Sequence, residues 1–544
     1  MRNVTSYVST MNGAPDIKGD FHTDDRSRAL YSEGAGIYRI IPRAVALPED
    51  EADLLVLLRW AGEHRIPLTP RGAGSSVTGS NVGKGIIVDL TRMPRTLEVH
   101  PGTLTARTSA NIRWGELAEA AGKSGLRLPP DPSSGAFATL GGMVSTNASG
   151  AHSVRYGSTR RWVFGLTVFT SDGRKVRLRR GDGSDLKVPR QALLDHQDLI
   201  RSRYPRTTKN SAGYGLDAWL ESGDDLDLFV GAEGTLGIIT EIEWKLAPVP
   251  AHRAGLRVQL SDLGLLTNAV EAILAFEPSA VELLDRTFLE LVEQGGIARP
   301  LAAPASPQPE SILLIEFESD DPGAIRETVE ATVQSLSGLA PAIERALSPD
   351  EEARVWRLRH AASPIIADLP PGRRSLQVIE DACVPVPRTG EYISAVRALA
   401  HQLEVPVVIF GHAGDGNIHV NVLPETTRTG WEEAVRALHR DITDVVIRLE
   451  GTTSGEHGDG RIRSSVLERL YGPAIIRLFH LLKDSLDPDG ILNPGVKIVK
   501  DIAEPLRDLK VGGGAVAIPD AIAEELREIE RKGDYLRDRL TLHS

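Results

Sequence analysis

Between residues 66 and 90 the chain passes from a short extended piece, through Pro70, Arg71, Gly72, Ala73, Gly74, Ser75, Ser76, Val77, Thr78 and Gly79, into an apolar run at 85–90. A turn this rich in Gly and Ser after a strand can aim backbone N–H groups at one spot with no Cβ in the way, and its hydroxyls add donors. Arg71 adds fixed positive charge. That is the chemistry of a diphosphate cradle. The spacing matches neither common phosphate motif: Gly72, Gly74 and Val77 miss the last Gly of the dinucleotide fingerprint, and Gly79, Gly83, Lys84 and Gly85 miss the P-loop. Taken alone such a loop is a surface turn, so the rest of the chain has to decide.

Periodicity around the cradle predicts an α+β layer: a short helix at 24–31, a strand at 43–47, and a helix at 51–65 with Leu54, Leu55, Leu57, Leu58 and Ala61 as its buried stripe. A strand at 85–90, the alternation Leu104, Ala106, Thr108 and a helix at 113–123 follow. Then come Pro130, Asp131, Ser133 and Ser134, and after them Thr139, Gly141, Gly142, Ser145, Thr146, Asn147, Ser149 and Gly150. The interspersed Leu140, Met143 and Val144 predict a buried loop held against something flat, for which an aromatic cofactor ring is the natural occupant. A hairpin is expected at 166–171 and 175–178, a helix plus loops over 179–225, and a strand, tight turn and strand over 228–242.

A chain of 544 residues exceeds the ~250–300 at which one core stops growing, so two domains are expected. Composition shifts at Pro248 and Pro250. Beyond them, strands at 256–260, 280–284, 312–317, 407–410 and 418–422 alternate with helices at 266–276, 322–336, 389–403 and 431–449, which predicts a second α+β domain with helices on one side and a flexible insertion at 300–309. The tail at 520–539 reads as a charge-laced helix facing solvent or a partner. Net charge of −12 argues against nucleic acid, and the single Cys383 excludes a disulfide or a cysteine-ligated iron–sulfur cluster within one chain. Residues 1–36 have no signal-type apolar core and no run spans a membrane, so a cytoplasmic protein is expected, with any membrane contact peripheral at the inner face.

Two Gly-rich turns carry the chemistry. His412 and His419 flank Gly414, Asp415, Gly416 and Asn417, and Glu456 with His457 sits between Gly455 and Gly458. Two His and one Glu are the ligand set of an open divalent-metal site, zinc or manganese, although the spacing is not that of zinc proteases.

Those turns, the cradle, the 130–134 and 139–150 loops, the 231–240 turn and the ending Asp487, Pro488, Asp489, Gly490, Ile491, Leu492, Asn493, Pro494 occur in an order that resembles the vanillyl-alcohol oxidase (PCMH) type flavoproteins, in the D-lactate, glycolate and D-2-hydroxyglutarate dehydrogenase branch. The resemblance covers roughly residues 40–500. It implies a two-subdomain FAD-binding domain at 38–250 after a lead at 1–37, an α+β cap domain with an antiparallel sheet at 251–485, a return segment to the flavin at 486–505 and a tail at 506–544. By this resemblance the cradle holds the diphosphate, the two loops wrap the flavin, and Glu233, Gly234, Gly237, Ile238 and Ile239 line the adenine and ribose side. Ala73 and Ser75 stand where relatives attach flavin through a His, so FAD is expected to be held without a covalent bond through that loop. His412, His419 and Glu456 are implied to hold the metal, zinc first, and His457 to be the base. Arg359 is implied to clamp the substrate carboxylate, with Ser363 and Asn417 also at the substrate.

The sequence departs from the pattern at His360, where a Glu is usual, and at Ile379, where some hydroxyglutarate enzymes have a Lys. A second substrate carboxylate is therefore not obviously served, unless by Lys209 or Asn210. The expectation is an FAD-dependent dehydrogenase that oxidises a D-lactate-like D-2-hydroxy acid to the 2-keto acid by hydride transfer to flavin N5. Electrons then pass to an iron–sulfur protein, an electron-transfer flavoprotein, a quinone or a cytochrome, and a homodimer is compatible with the family. An O₂-using oxidase and a D-2-hydroxyglutarate dehydrogenase are the near alternatives. A non-catalytic flavin subunit and a flavin-free zinc hydrolase are the rivals from other classes.

Overall fold

The cradle hangs from a four-stranded sheet ordered Asp20–His22, Ala44–Leu47, Ile86–Asp89, Leu68–Arg71, in which the last three strands run parallel. The computed structural model describes residues 13–294, 309–360, 366, 369, 372–499, 504–535 and 537–542. The helix Glu51–His64 joins two of the parallel strands. Asp50 caps it through the Asp53 N–H, and it ends where Arg65 turns left-handed at φ 50°. Leu54, Leu57, Leu58 and Ala61 are buried as expected, and Leu55 is half-buried.

The strand before the cradle spans Leu68–Arg71, two residues later than periodicity suggests, and the cause is a distant segment. Leu68 N–H donates to the Ile491 carbonyl at 2.7 Å, and Asn493 N–H donates to the Leu68 carbonyl at 2.8 Å. Asn493 itself is buried with φ 42°, and its amide donates to the carbonyls of Ser80 and Glu233, 2.8 Å each. Removing that amide by Asn493→Ala strands two buried carbonyls and is expected to destabilise the chain by about 1–3 kcal/mol, read as a lowered melting temperature.

A second, antiparallel sheet of five strands follows the order Leu97–His100, Thr105–Ser109, Ile238–Lys245, Val163–Phe169, Lys175–Arg179 and contains the expected hairpin. Its companion segments differ from the sequence reading in two places. Residues expected as a buried loop form the helix Leu140–Thr146, capped by Thr139 and ended by Asn147 at φ 56°. Its small residues let it press on the sheet, since a Cβ at Gly141 would meet the Ala110 side chain at 2.7 Å. The strand expected from residue 228 is instead part of a short helix, Leu226–Phe229, whose four residues are all buried. An apolar run this short fits either element, and burial on every side removed the alternation that separates them.

The third sheet is antiparallel throughout, with seven strands in the order Ala342–Ala346, His252–Leu260, Ser311–Ser319, Ala280–Asp285, Val407–His412, Asn417–Val422, Ala382–Cys383. The first and last strands were not anticipated. The helices Leu266–Leu274, Pro322–Ser335, Thr389–Gln402 and Trp431–Arg448 share one core with Leu283, Leu313 and Ile315. Neighbouring Leu284, Ile312 and Leu314 point the other way, into a smaller core with the helices Arg286–Gln294 and Pro349–His360. Helices thus cover both faces rather than one, and Pro349–His360 faces the cavity described below. Of the expected insertion at 300–309 only residue 309 is described.

The tail carries the helix Asp520–Lys532, as expected in position but not in role. Ile522, Leu526 and Ile529 are buried against Leu30, Tyr31, Val45 and Leu47. Among the described residues no helix is long and apolar enough to cross a membrane.

Candidate active site

One cavity of about 1130 Å³ runs from the cradle to the third sheet. Pro70, Arg71, Gly72, Ala73, Gly74, Ser75 and Ser76 line one end, and His412, His419, Glu456 and His457 line the other. Asp131, Ser133, Ser134, Thr139, Gly141, Gly142, Ser145, Thr146, Ser149 and Gly150 lie between, as do Glu233, Gly234, Gly237, Ile238 and Ile239. The loops of the two halves therefore share one space.

The backbone N–H groups of Ala73 to Val77 donate to no acceptor among the described residues. Five successive free donors in a Gly-rich turn form an anion nest, which fits the diphosphate of a dinucleotide. Gly74 takes φ 77°, and a Cβ there would lie 2.4 Å from the Arg71 guanidinium. Arg71 itself departs from expectation. It is buried under the loop, donates to the carbonyls of Glu33 (2.9 Å), Asn81 (3.4 Å) and Tyr31 (3.5 Å), and lies over the Tyr31 ring. Burial brings it down to about 9, so it stays a cation at neutral pH, and its guanidinium spends its hydrogen bonds on propping the loop at the cavity's edge.

At the far end three imidazoles aim Nε2 at a single carboxylate oxygen. Glu456 Oε1 is 3.0 Å from His412, 3.5 Å from His419 and 3.8 Å from His457. Each Nδ1 is already engaged: His412 with Glu282 (2.5 Å), His419 with the Glu380 carbonyl (2.8 Å) and His457 with the Glu380 carboxylate (2.6 Å). Those partners only accept, so each Nδ1 carries a hydrogen and each Nε2 is the nitrogen left to face Glu456. A proton or a cation has to lie between such acceptors, and the donor set N, N, O suits a divalent metal with positions to spare.

Charges around this cluster are arranged in pairs. Burial disfavours the Glu456 carboxylate, but Lys209 at 2.8 Å and His412 hold it well below the usual range. Burial likewise opposes the His457 imidazolium, yet the carboxylates of Glu380 and Asp381 push it up to about 10. For His412 the Glu282 carboxylate overcomes burial and raises it, whereas burial dominates at His419 and lowers it. Asp381 accepts the backbone N–H groups of Glu456 and His457, fixing the second turn, and Arg463 donates to Glu380.

Arg359 lines the cavity, with Nε on Glu282 at 2.5 Å and its guanidinium over the Phe410 ring. Among the described residues its two terminal nitrogens have no hydrogen-bond acceptor, which leaves them as donors for a ligand carboxylate. Glu282 thereby joins the arginine to the His412 ring.

Several expected site residues serve the frame instead. Asn417 does not line the cavity: its side chain bonds Lys209, Asp381 and the Ala382 carbonyl. Gly79, Pro130, Asn147 and Asn493 also lie outside the lining. Gly79 packs on the Tyr38 ring, Asn147 bonds Arg160 N–H, and Asn493 ties the cradle to the 233 turn. Glu233 lines the cavity, but its carboxylate accepts the N–H of Asp459 at 2.7 Å and pairs with Lys497 at 3.2 Å. Asp131 spends its carboxylate on His152 at 2.6 Å, and Ser149 donates to Glu456 rather than to the middle of the cavity. Lys209 is consumed by Glu456, and Asn210 bonds Tyr471 and Thr452. Ser363 lies outside the described residues.

Glu282, Glu380 and Asp381 escaped the sequence reading. Each is an acid inside an apolar stretch, and a buried acid without a visible partner is itself a sign of a site.

Comparisons with known proteins agree with this architecture. Residues 42–179 match the FAD binding domain family and residues 249–496 match the C-terminal domain of FAD linked oxidases. The chain is 30% identical over 493 residues to glycolate oxidase subunit GlcD of Bacillus subtilis, covering 89% of this chain and 94% of that protein. It is also 30% identical over 471 residues to D-lactate dehydrogenase of Archaeoglobus fulgidus, covering 85% and 94%. In fold it is similar to 4-ethylphenol oxidase from Gulosibacter chungangensis, with TM-score 0.64 and 14% identity over 88% of this chain and 94% of that one. The chain belongs to the FAD-linked oxidoreductase family that includes these glycolate oxidase subunits and D-lactate dehydrogenases.

Proposed function

We propose that the protein oxidises a D-2-hydroxy acid, of D-lactate type, to the 2-keto acid. The observation that carries this reading is the convergence of three imidazole Nε2 atoms on Glu456, within one cavity with Arg359 and the anion nest. Arg359 binds the substrate carboxylate through its terminal nitrogens, while Glu282 holds the guanidinium against rotation. His457 accepts the hydroxyl proton at Nε2, and Glu380 fixes the ring by its bond to Nδ1. FAD, when bound, would supply the two-electron acceptor for the hydride of C2, held by the cradle and the 131–150 segment. A divalent cation, zinc first, would be held by His412, His419 and Glu456, and would supply the Lewis acidity that favours the alkoxide while opposing the proton on His457. The electrons then leave to an external carrier, for which an iron–sulfur protein, an electron-transfer flavoprotein, a quinone and a cytochrome are the chemical options. A cytoplasmic location fits this reading.

A second reading has one specific support. Arg374 also lines the cavity, offering a further cation where Lys209 and Asn210 cannot. That favours a dicarboxylic hydroxy acid such as D-2-hydroxyglutarate. Anaerobic bleaching of the flavin by D- and L-lactate, glycolate and D-2-hydroxyglutarate tests both readings. D-lactate is expected to bleach fastest, and Arg359→Ala is expected to raise the substrate concentration needed by about 10- to 100-fold. Bleaching by L-isomers alone, or by none of the panel, would defeat the proposal, and a preference for the dicarboxylate would select the second reading.

A further inference from the structure

The chain beyond residue 504 lies outside both matched family segments, yet it reaches the cavity. Its path is pinned beside the cradle. Tyr38 hydroxyl donates to the Pro505 carbonyl at 2.6 Å, Arg39 N–H to Asp508 at 2.9 Å, and Lys510 N–H to Ile37 at 2.8 Å. Two residues earlier, Ala35 N–H donates to the Gly74 carbonyl of the cradle at 2.9 Å. The helix Asp520–Lys532 then seats its apolar face on the first sheet's core, and Arg539 is buried with a bond to the Leu30 carbonyl.

This anchoring brings Arg527, Arg531, Lys532 and Tyr535 to the cavity lining. The Tyr535 ring lies 5.0 Å from that of Phe137, which lines the same space. Glu530, the one tail acid in the lining, pairs with Lys510 at 3.0 Å. Lys532 pairs with Glu528 at 2.5 Å, whereas the side chains of Arg527 and Arg531 make no hydrogen bond or salt bridge among the described residues. Two exposed guanidinium groups at the rim of a cavity with an anion nest at its base form a positive mouth in an acidic protein.

We propose that the tail is part of the cofactor site: Arg527 and Arg531 attract and retain the dinucleotide's diphosphate charge, and Tyr535 with Phe137 covers the cavity over it. This rests on the reading of the cavity as the FAD site. The tail would thus be a binding element, not a surface for another protein.

The test is FAD release from the full-length holoprotein, followed by recovery of flavin fluorescence on dilution. Arg527→Gln with Arg531→Gln is expected to raise the FAD dissociation constant about tenfold at low salt. The difference should vanish in about 1 M salt, where charges beyond about 3 Å are screened, and Lys at both positions should restore binding. Tyr535→Ala is expected to speed release at both salt concentrations. An unchanged dissociation constant in the Gln pair, or a loss equal at both salt concentrations and not rescued by Lys, would overturn the proposal. If the unmutated chain neither carries nor takes up flavin, the FAD reading fails first and the proposal with it, an outcome distinct from a defect confined to the variants.

Discussion

His457→Ala is expected to keep its flavin and its fold but to reduce that flavin with substrate about 10²- to 10⁴-fold more slowly, the range of a lost general base. The fold should survive because Glu380, the partner of His457 Nδ1, retains Arg463 as a buried counter-ion. The flavin should remain because, among the described residues, His457 bonds, pairs or stacks with residues 380, 381, 419 and 456, at the end of the cavity away from the cradle. Metal content should fall little, since Glu456 Oε1 is nearer to His412 and His419 than to His457. Stopped-flow reduction under anaerobic conditions separates the outcomes. A normal spectrum with slow bleaching that free imidazole partly restores would assign the base. Bleaching at the parent rate would place it elsewhere.

The elements around this site were legible in the sequence to different degrees, for physical reasons. The helix Glu51–His64 and the strands of the third sheet announced themselves because one face is buried and the spacing of apolar residues records it. The helix Leu140–Thr146 did not: two of its seven residues are Gly and its packing depends on small size rather than apolar periodicity. The edge strands Ala342–Ala346 and Ala382–Cys383 were missed because an edge needs pairing on one side only, and the second is two residues long. In the site, His412, His419, Glu456 and His457 were visible as polar residues in Gly-flanked turns. Arg71 was visible too, but nothing in a sequence tells whether a guanidinium turns into a cavity or beneath a loop. The pairing of Glu282 with both His412 and Arg359 depends on strand register, which places Glu282 opposite His412. Such cross-strand neighbours have no signature in chain order.

Glu456→Gln is expected to abolish stoichiometric metal binding and to slow turnover by more than about 100-fold, while leaving the yellow colour. The carboxylate does two jobs at once. Oε1 is the point on which the three Nε2 atoms converge, and Oε2 accepts from Lys209 Nζ at 2.8 Å and from the Ser149 hydroxyl. An amide at this position offers a poorer ligand and no charge, so Lys209 is left buried with Asp415 at 3.7 Å as its remaining carboxylate partner. Burial alone would lower the Lys209 pKa, and Glu456 is the main influence raising it. Cutting one partner out of such a buried pair costs about 3–5 kcal/mol, so the variant should also melt earlier. Adding Lys209→Met removes the stranded ammonium and is expected to return most of that stability without returning metal or turnover. Recovery of activity in the double variant would mean that Glu456 serves only to neutralise Lys209. Recovery of stability alone would mean that the same carboxylate both anchors the fold and holds the ion.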